Sequence, residues 1–295
     1  MDYTFYAIYI KHKYKMSFYN DDDTLIDEIE VTYNEKLYPP TIVPHKDESA
    51  LPLESTYKHI GYSTSKGGRK VDLGSMRSIK DYKFYAVYEI ANVYDAPFDE
   101  KFFDFTSGTY HEQNGYYISV KPGYSLSGKV TLPTRYNNQP IIGILGAASQ
   151  SDTSFINGFR NNNDITHIFW YKDPAGMNVI DFAMRCFEGM GSLQYIEIPG
   201  TIERFGAYCM ASIRKNNVVN VPVLKLNRID INPDRVCRFD AYAFSGSPVD
   251  NESFTITGHF DFIGNQAFAY QTKISTFNFG DAEKGCYITS MRSNQ

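Results

Sequence analysis

The sequence has little of what most catalytic, metal-binding or membrane chains display. Cysteine is scarce: Cys186, Cys209, Cys237 and Cys286 all lie in the C-terminal half, with no CxxC and no Cys/His cluster of metal-ligand spacing. That speaks against a structural zinc site and a disulfide framework. Long apolar runs are missing too, and nothing approaches the ~20 residues of a membrane span. Lys11, His12, Lys13 and Lys15 interrupt the apolar start, so neither an export signal nor an anchor is read in this chain. Charge of one sign is not in excess. With 29 basic and 34 acidic residues the net charge is -5, which gives no broad electrostatic grip on nucleic acid or on an anionic membrane.

Catalytic signatures are equally thin. There is no GxSxG elbow, and His12, His45, His59, His111, His167 and His259 are scattered. The stretch Gly123 to Val130, GYSLSGKV, approaches a phosphate-binding loop but has Val130 where Ser or Thr would hold magnesium, and TLP follows where a helix should begin. A hairpin joining YYISV to KVTLP is expected there instead. His111-Glu112 opens a zincin-like HExxH that Gly115 does not complete. No carboxylate pair is singled out by its spacing. The chain is therefore expected to be no enzyme, with no cofactor and no metal.

What is present is strand-forming composition and repetition. Tyr and Phe number 24 and 21, and the Tyr-rich segments are dense in Thr, Val and Ile, as in strands. The phrase Tyr3 to Tyr9, YTFYAIY, returns as Tyr82 to Tyr88, YKFYAVY, each alternating between two faces. Between them Tyr14 to Tyr19 and Leu25 to Tyr33 flank the turn NDDDT at Asn20 to Thr24. That acidic turn lacks the glycine and distal Glu of a calcium loop and reads as hairpin chemistry. Pro39-Pro40 leaves the hairpin, and His59 to Leu73 carries a Ser/Gly/Lys-rich turn.

The order FYNDDDTLIDEIEVTYNEKL, a proline step, GYSTSKGGRKVDL and a closing YKFYAVYE resembles the Listeria-Bacteroides repeat, akin to the B repeat of internalins. Gly61-Tyr62 stands where that family usually has Gly-Trp. The resemblance spans about Lys11 to Tyr88 and implies a small β-grasp-like module, strung in tandem on extended surface proteins of bacteria and some phages, without chemistry of its own. Residues 1–10 then read as the last strand of a preceding repeat, 11–91 as one repeat and 92–122 as a linker or cap, since Ile90 to Phe105 breaks the pattern with Pro97 and an acidic cluster.

Residues 123–295 carry a shorter period. A large apolar residue, a small one four positions on and usually a large one next recur at Phe182/Cys186/Phe187, Phe205/Cys209/Met210, Phe239/Ala243/Phe244 and Ile263/Ala267/Phe268, in steps of 23, 34 and 24 residues. Apolar triplets spaced i, i+3, i+5 follow at Leu193/Ile196/Ile198, Val218/Val221/Val223 and Ile274/Phe277/Phe279, and Phe254/Ile256 keeps part of one. An earlier, degenerate copy reads Ile144/Ala148 and Ile165/Ile168/Trp170. Each unit is too small to close a core and must stack on its neighbours, so a solenoid is expected. Cys186 and Cys209 share one slot in successive units, where others place Ala; they read as small buried residues, with a disulfide between stacked coils as the alternative.

VIDFAMRCFEGMGSLQYIEIPGTIERFGAYCM, Val179 to Met210, resembles the BspA-like leucine-rich repeat, and GKVTLPTRYNNQPIIGI resembles the entry to such arrays. The fold class expected overall is mainly β: a small β-grasp-like repeat followed by a leucine-rich-repeat solenoid. The 38-residue step from Ile144 to Phe182 and the 34-residue step from Phe205 to Phe239 imply two bulging loops, SQSDTSFINGFRNNND and LNRIDINPDRV. Irregular insertions on a rigid scaffold often carry recognition, which singles out Phe159, Arg160 and Arg228, together with Tyr171, Lys172 and Asp173 after a strand; Trp170 aligns with core positions and is expected to be buried. The function expected is adhesion: binding a host surface protein or glycan from a cell surface or a virion, without nucleic acid or membrane insertion. The alternative is a structural bacteriophage component, self-associating or held by virion neighbours, with the repeats as spacers.

Overall fold

The computed structural model describes residues 11–42, 44–95, 100–211, 224–247, 252–271 and 274–292. The strand expected over residues 1–10 and the triplet Val218/Val221/Val223 lie outside them. The chain divides into two compact units, Met1–Ala91 and Asn92–Gln295. It is mainly β, with no α-helix among the described residues.

In the first unit β1 (Lys13–Tyr19), β2 (Leu25–Thr32), β3 (Ser55–Ser63) and β4 (Tyr82–Asn92) form one sheet in the order β2-β1-β4-β3. β1 and β2 are an antiparallel hairpin, whereas β1 and β4 run parallel. The alternation of YKFYAVY works as expected: Phe84 and Ala86 are buried, and Tyr82 and Tyr88 pack at the margin of the same cluster as Met16, Phe18, Leu37, Tyr62 and Leu73. Phe18 stacks on Phe84 at 5.1 Å and meets the edge of Tyr62 at 5.0 Å. The acidic turn is a turn, with Asp23 at φ 70° and the Asp22 carboxylate accepting from Thr24 N–H at 2.9 Å. Lys46 and Lys66 each lie 2.5 Å from its Asp21 and Asp23 carboxylates.

The second unit holds β5 (Phe103–Tyr110), β6 (Gln113–Val120), β7 (Gly128–Leu132), β8 (Arg135–Tyr136), β9 (Gln139–Ile144), β10 (Ile165–Trp170), β11 (Asp181–Phe182), β12 (Tyr195–Ile196), β13 (Arg204–Phe205), β14 (Arg228–Asp230), β15 (Val236–Phe239), β16 (Ser253–Ile263), β17 (Thr276–Phe279) and β18 (Cys286–Ile288). Very short strands pair in parallel with the equivalent strand of the next repeat. One register runs Ile118, Ile144, Phe182, Phe205, Phe239, Ile263 through β6, β9, β11, β13, β15 and β16, and all six side chains are buried. A second ladder pairs β7 with β10 and β10 with β12, and further along β14 with β16 and β16 with β17.

Each anchor feeds a turn whose third residue has positive φ: Arg185 61°, Tyr208 59°, Tyr242 61° and Gln266 54°. A left-handed conformation costs a non-glycine residue roughly 1–2 kcal/mol. Hydrogen bonds to the next repeat offset it, since Phe187, Met210 and Phe244 N–H donate to Cys209, Ala243 and Ala267 carbonyls at 2.8, 2.8 and 2.7 Å. The anchors, the small residues and the large residues beside them are buried as the spacing requires, apart from the half-buried Phe268.

Five expectations need correction. YYISV and KVTLP do not pair: β6 bonds β5 and β9, whereas β7 bonds β10 in the other sheet, so GYSLSGK is the corner between two sheets. LNRIDINPDRV does not bulge. It contains β14, and Leu226, Ile229 and Ile231 are buried with the same i, i+3, i+5 spacing. The loop of residues 149–164 also turns inward, because Asn157 donates to the Leu145 and Cys186 carbonyls at 2.8 and 2.9 Å and Phe159 packs on Phe187. In the degenerate copy the buried small residue is Ala147, while Ala148 is exposed. Residues 103–120, read as part of a linker or cap, form the antiparallel β5–β6 hairpin on the edge of the large sheet.

Candidate binding surface

The six residues singled out from sequence are dispersed in their roles. Phe159 is fully buried, and Arg160 is consumed internally: its Nε donates to Glu188 at 2.8 Å and its Nη1 to the Thr153 and Phe155 carbonyls. Neither is offered to a ligand. Trp170 is buried as expected, with Nε1–H donating to the Glu197 carbonyl at 3.0 Å. Tyr171 is half-buried, Lys172 reaches over the Tyr94 ring at 3.5 Å, and Asp173 pairs with Arg135 at 3.3 Å. These three remain at the surface, with Lys172 and Asp173 already committed to neighbours in the second unit.

Arg228 leads to something the sequence reading missed. It starts β14, and its Nε lies 2.7 Å from both carboxylate oxygens of Asp230 while Nη1 bonds Asp281. Beside this cluster opens a cleft of about 490 Å³, lined chiefly by Asp230, Asn232, Thr257, His259, Glu283 and Tyr287. Three local features build it. β14 and the turn after it supply Asp230 to Pro233. Gly258, at φ 110°, lets β16 pass Ile231, whose carbonyl a β-carbon there would meet at 2.8 Å. The turn Asp281 to Lys284 closes on itself, with the Asp281 carboxylate accepting from the N–H groups of Glu283 and Lys284 at 2.8 Å.

The electrostatics are preset. Although partial burial works against its charge, Asp230 is held below the ordinary carboxylate range by hydrogen bonds from Arg228 and Thr257. Asp281 is held down to about 2 by the Lys284 N–H and the Arg228 guanidinium. Both stay ionised, and Thr257 donates to Asp230 at 2.6 Å. Tyr287 stands 64% exposed and is braced by the His259 ring at 4.8 Å. Burial pushes the Cys286 thiol up, which keeps it protonated at neutral pH and a poor nucleophile. No group of three or more His, Cys, Asp or Glu is placed to hold a metal ion among the described residues.

The family model for the BspA type leucine rich repeat region matches in six copies, over residues 157–232 and 186–290. BspA-type leucine-rich repeats are thus detected over residues 157–290. The matched span includes Leu226/Ile229/Ile231 and all of β14, and it ends beside the cleft's Tyr287. No curated protein and no solved structure matches the chain. Among the described residues no helix is long and apolar enough to cross a membrane.

The repeats also explain the cysteines and a polar stripe. Cys186 and Cys209 are free and buried, each thiol facing the carbonyl of the next repeat, at 3.9 and 3.8 Å. On the outer side of the large sheet the carboxylate of Asp181, without solvent exposure, accepts two bonds from Arg204 at 2.7 and 2.6 Å and one from Tyr117 OH at 2.8 Å. Asp181 and Arg204 match each other, and their pair fastens one repeat to the next.

Proposed function

We propose that the protein is a non-catalytic surface-binding protein that recognises a host protein or glycan from a cell surface or a virion. In this reading the two ladders are walls of one leucine-rich solenoid, and the first unit is a β-grasp-like Listeria-Bacteroides repeat acting as a spacer. The cleft beside Arg228 carries the proposal. It joins an exposed aromatic ring to ionised, immobilised polar groups on a frame of in-register strands, which is recognition chemistry without a nucleophile or a metal. The spacer is supported by the sheet order β2-β1-β4-β3 and by Tyr62, buried in the Gly-Trp position of that repeat. BspA-type repeats, commonly adhesion or binding modules, support the rest.

The test is binding of the purified, labelled protein to host cells and to immobilised extracellular proteins. Saturable binding, competed by unlabelled protein, is expected; its absence on every surface removes the adhesion reading. A structural role in a bacteriophage virion is the second reading, favoured by one observation. Among the described residues β17 and β18 each pair with β16 alone, and they carry exposed Phe279 and Tyr287, an edge suited to neighbours in an assembly. Light scattering that shows a symmetric oligomer, with no host binding, would select it.

A further inference from the structure

We propose that the cleft between the β14 turn and the Asp281 to Tyr287 segment binds a neutral saccharide. This rests on the reading of the chain as a binding protein and names the ligand class. The juxtaposition that carries it is Tyr287 and His259 on one wall with Asp230, Asn232 and Glu283 around them.

Charge disfavours an anionic ligand. The two cations at the site already face carboxylates: Lys284 lies 3.7 Å from Asp230, and Arg228 binds both Asp230 and Asp281. Glu283 adds a further exposed carboxylate. A sulfate, phosphate or sialic acid would therefore meet three carboxylates, Asp230, Asp281 and Glu283, against the two cations Arg228 and Lys284. A peptide adding itself as a strand is excluded at the floor of the cleft, because the main chain there is already paired. Ile231 N–H donates to the Thr257 carbonyl at 3.0 Å, Asn232 to Gly200 at 2.8 Å and Gly258 to Gly285 at 3.0 Å.

A pyranose fits what is left. One side of the ring is a patch of C–H groups, which an aromatic face covers, and its edge is a row of hydroxyls that both donate and accept. Tyr287, exposed but braced by His259, supplies the aromatic surface. The carboxylates of Asp230 and Glu283 accept from hydroxyls, while the Asn232 amide does both. Asp230 is oriented in advance by Thr257 and Arg228, so little ordering remains to oppose binding. A volume of about 490 Å³ is in the range of small-ligand sites and has room for about one or two sugar rings.

The experiment offers the full chain to immobilised neutral oligosaccharides built from hexoses and N-acetylhexosamines, to sialylated ones and to sulfated ones, followed by calorimetric titration with the best binder. Tyr287→Ala and Glu283→Gln are compared with the wild type; both side chains are exposed, and unchanged thermal melting confirms that the variants fold. Neutral oligosaccharides are expected to bind, with affinity falling at least 10-fold in Tyr287→Ala and about 5-fold in Glu283→Gln. Preference for sulfated or sialylated chains, no binding to any saccharide, or equal affinity in Tyr287→Ala overturns the proposal. The two readings fail separately. Host-surface binding unaffected by Tyr287→Ala and by free saccharide sinks the saccharide site and leaves adhesion standing, while saccharide binding without any host-surface binding does the reverse.

Discussion

At the scale of single residues, Asp181 shows how a charge can be buried on the outer side of a sheet. Its neighbour in register on β9 is Gly143, and a β-carbon there would come within 2.2 Å of the Asp181 carbonyl and 2.9 Å of the Tyr117 ring. The missing side chain lets Tyr117 lie across to the carboxylate, and burial, followed by the Asp181 charge, pushes the Tyr117 phenol up. Removing Arg204 would leave a buried carboxylate with one neutral donor. Arg204→Ala is therefore expected to cost about 3 kcal/mol and Tyr117→Phe about 1 kcal/mol, measured by urea unfolding. The thiols separate by the same physics of burial: with Cys186, Cys209 and Cys237 buried and Cys286 half-buried, a thiol reagent should modify Cys286 first, the other three reacting only on unfolding.

At the scale of elements, the ladders behave as stacks. Phe205 sits among Phe182, Phe239 and Phe244 at 5.7, 4.8 and 5.3 Å, so Phe205→Ala opens a cavity between repeats and should cost about 3–5 kcal/mol. His167 on β10 gives a pH dependence. Burial, then Lys129 of β7 and Lys225 after β12, lower it to about 4; the Tyr195 ring of β12 lies 6.2 Å away. A histidine depressed on folding binds more protons in the unfolded chain, so its contribution is complete above about pH 6.5 and is lost as pH falls toward 4. Allowing for partial exposure, roughly 1–2 kcal/mol is at stake. Unfolding of His167→Gln measured across that window should show a flatter dependence than the wild type. The anchors of these elements were legible because a repeated offset is itself the packing rule. The rung at Leu226/Ile229/Ile231 was not, since Val218/Val221/Val223 shows the same offsets eight positions earlier and spacing alone does not choose between them.

At the scale of the whole chain, two units each carry a core, one around Phe18, Tyr62 and Phe84, the other along the stacked anchors. A fragment of residues 11–92 is therefore expected to unfold cooperatively on its own, seen as a single thermal transition by circular dichroism; a featureless melt would show that its cluster is insufficient. The mainly β character of the chain and the buried anchors of its second unit could be read from sequence, because both are written in composition and local periodicity. The cleft could not: Asp230, His259 and Tyr287 meet only through parallel pairing of β14 and β18 with β16, and no local spacing encodes that meeting. For the same reason Phe159 and Arg160 misled, since a polar, irregular stretch looks alike whether it hangs in water or is pinned by a buried Asn157.

β16 has a mechanical consequence. Its first half pairs with β14 and β17 and its second with β15 and β18, so one continuous strand belongs to both ladders. Under tension, a shorter strand is expected to peel away from one ladder at a time, whereas β16 leaves only by giving up its pairings in both ladders together.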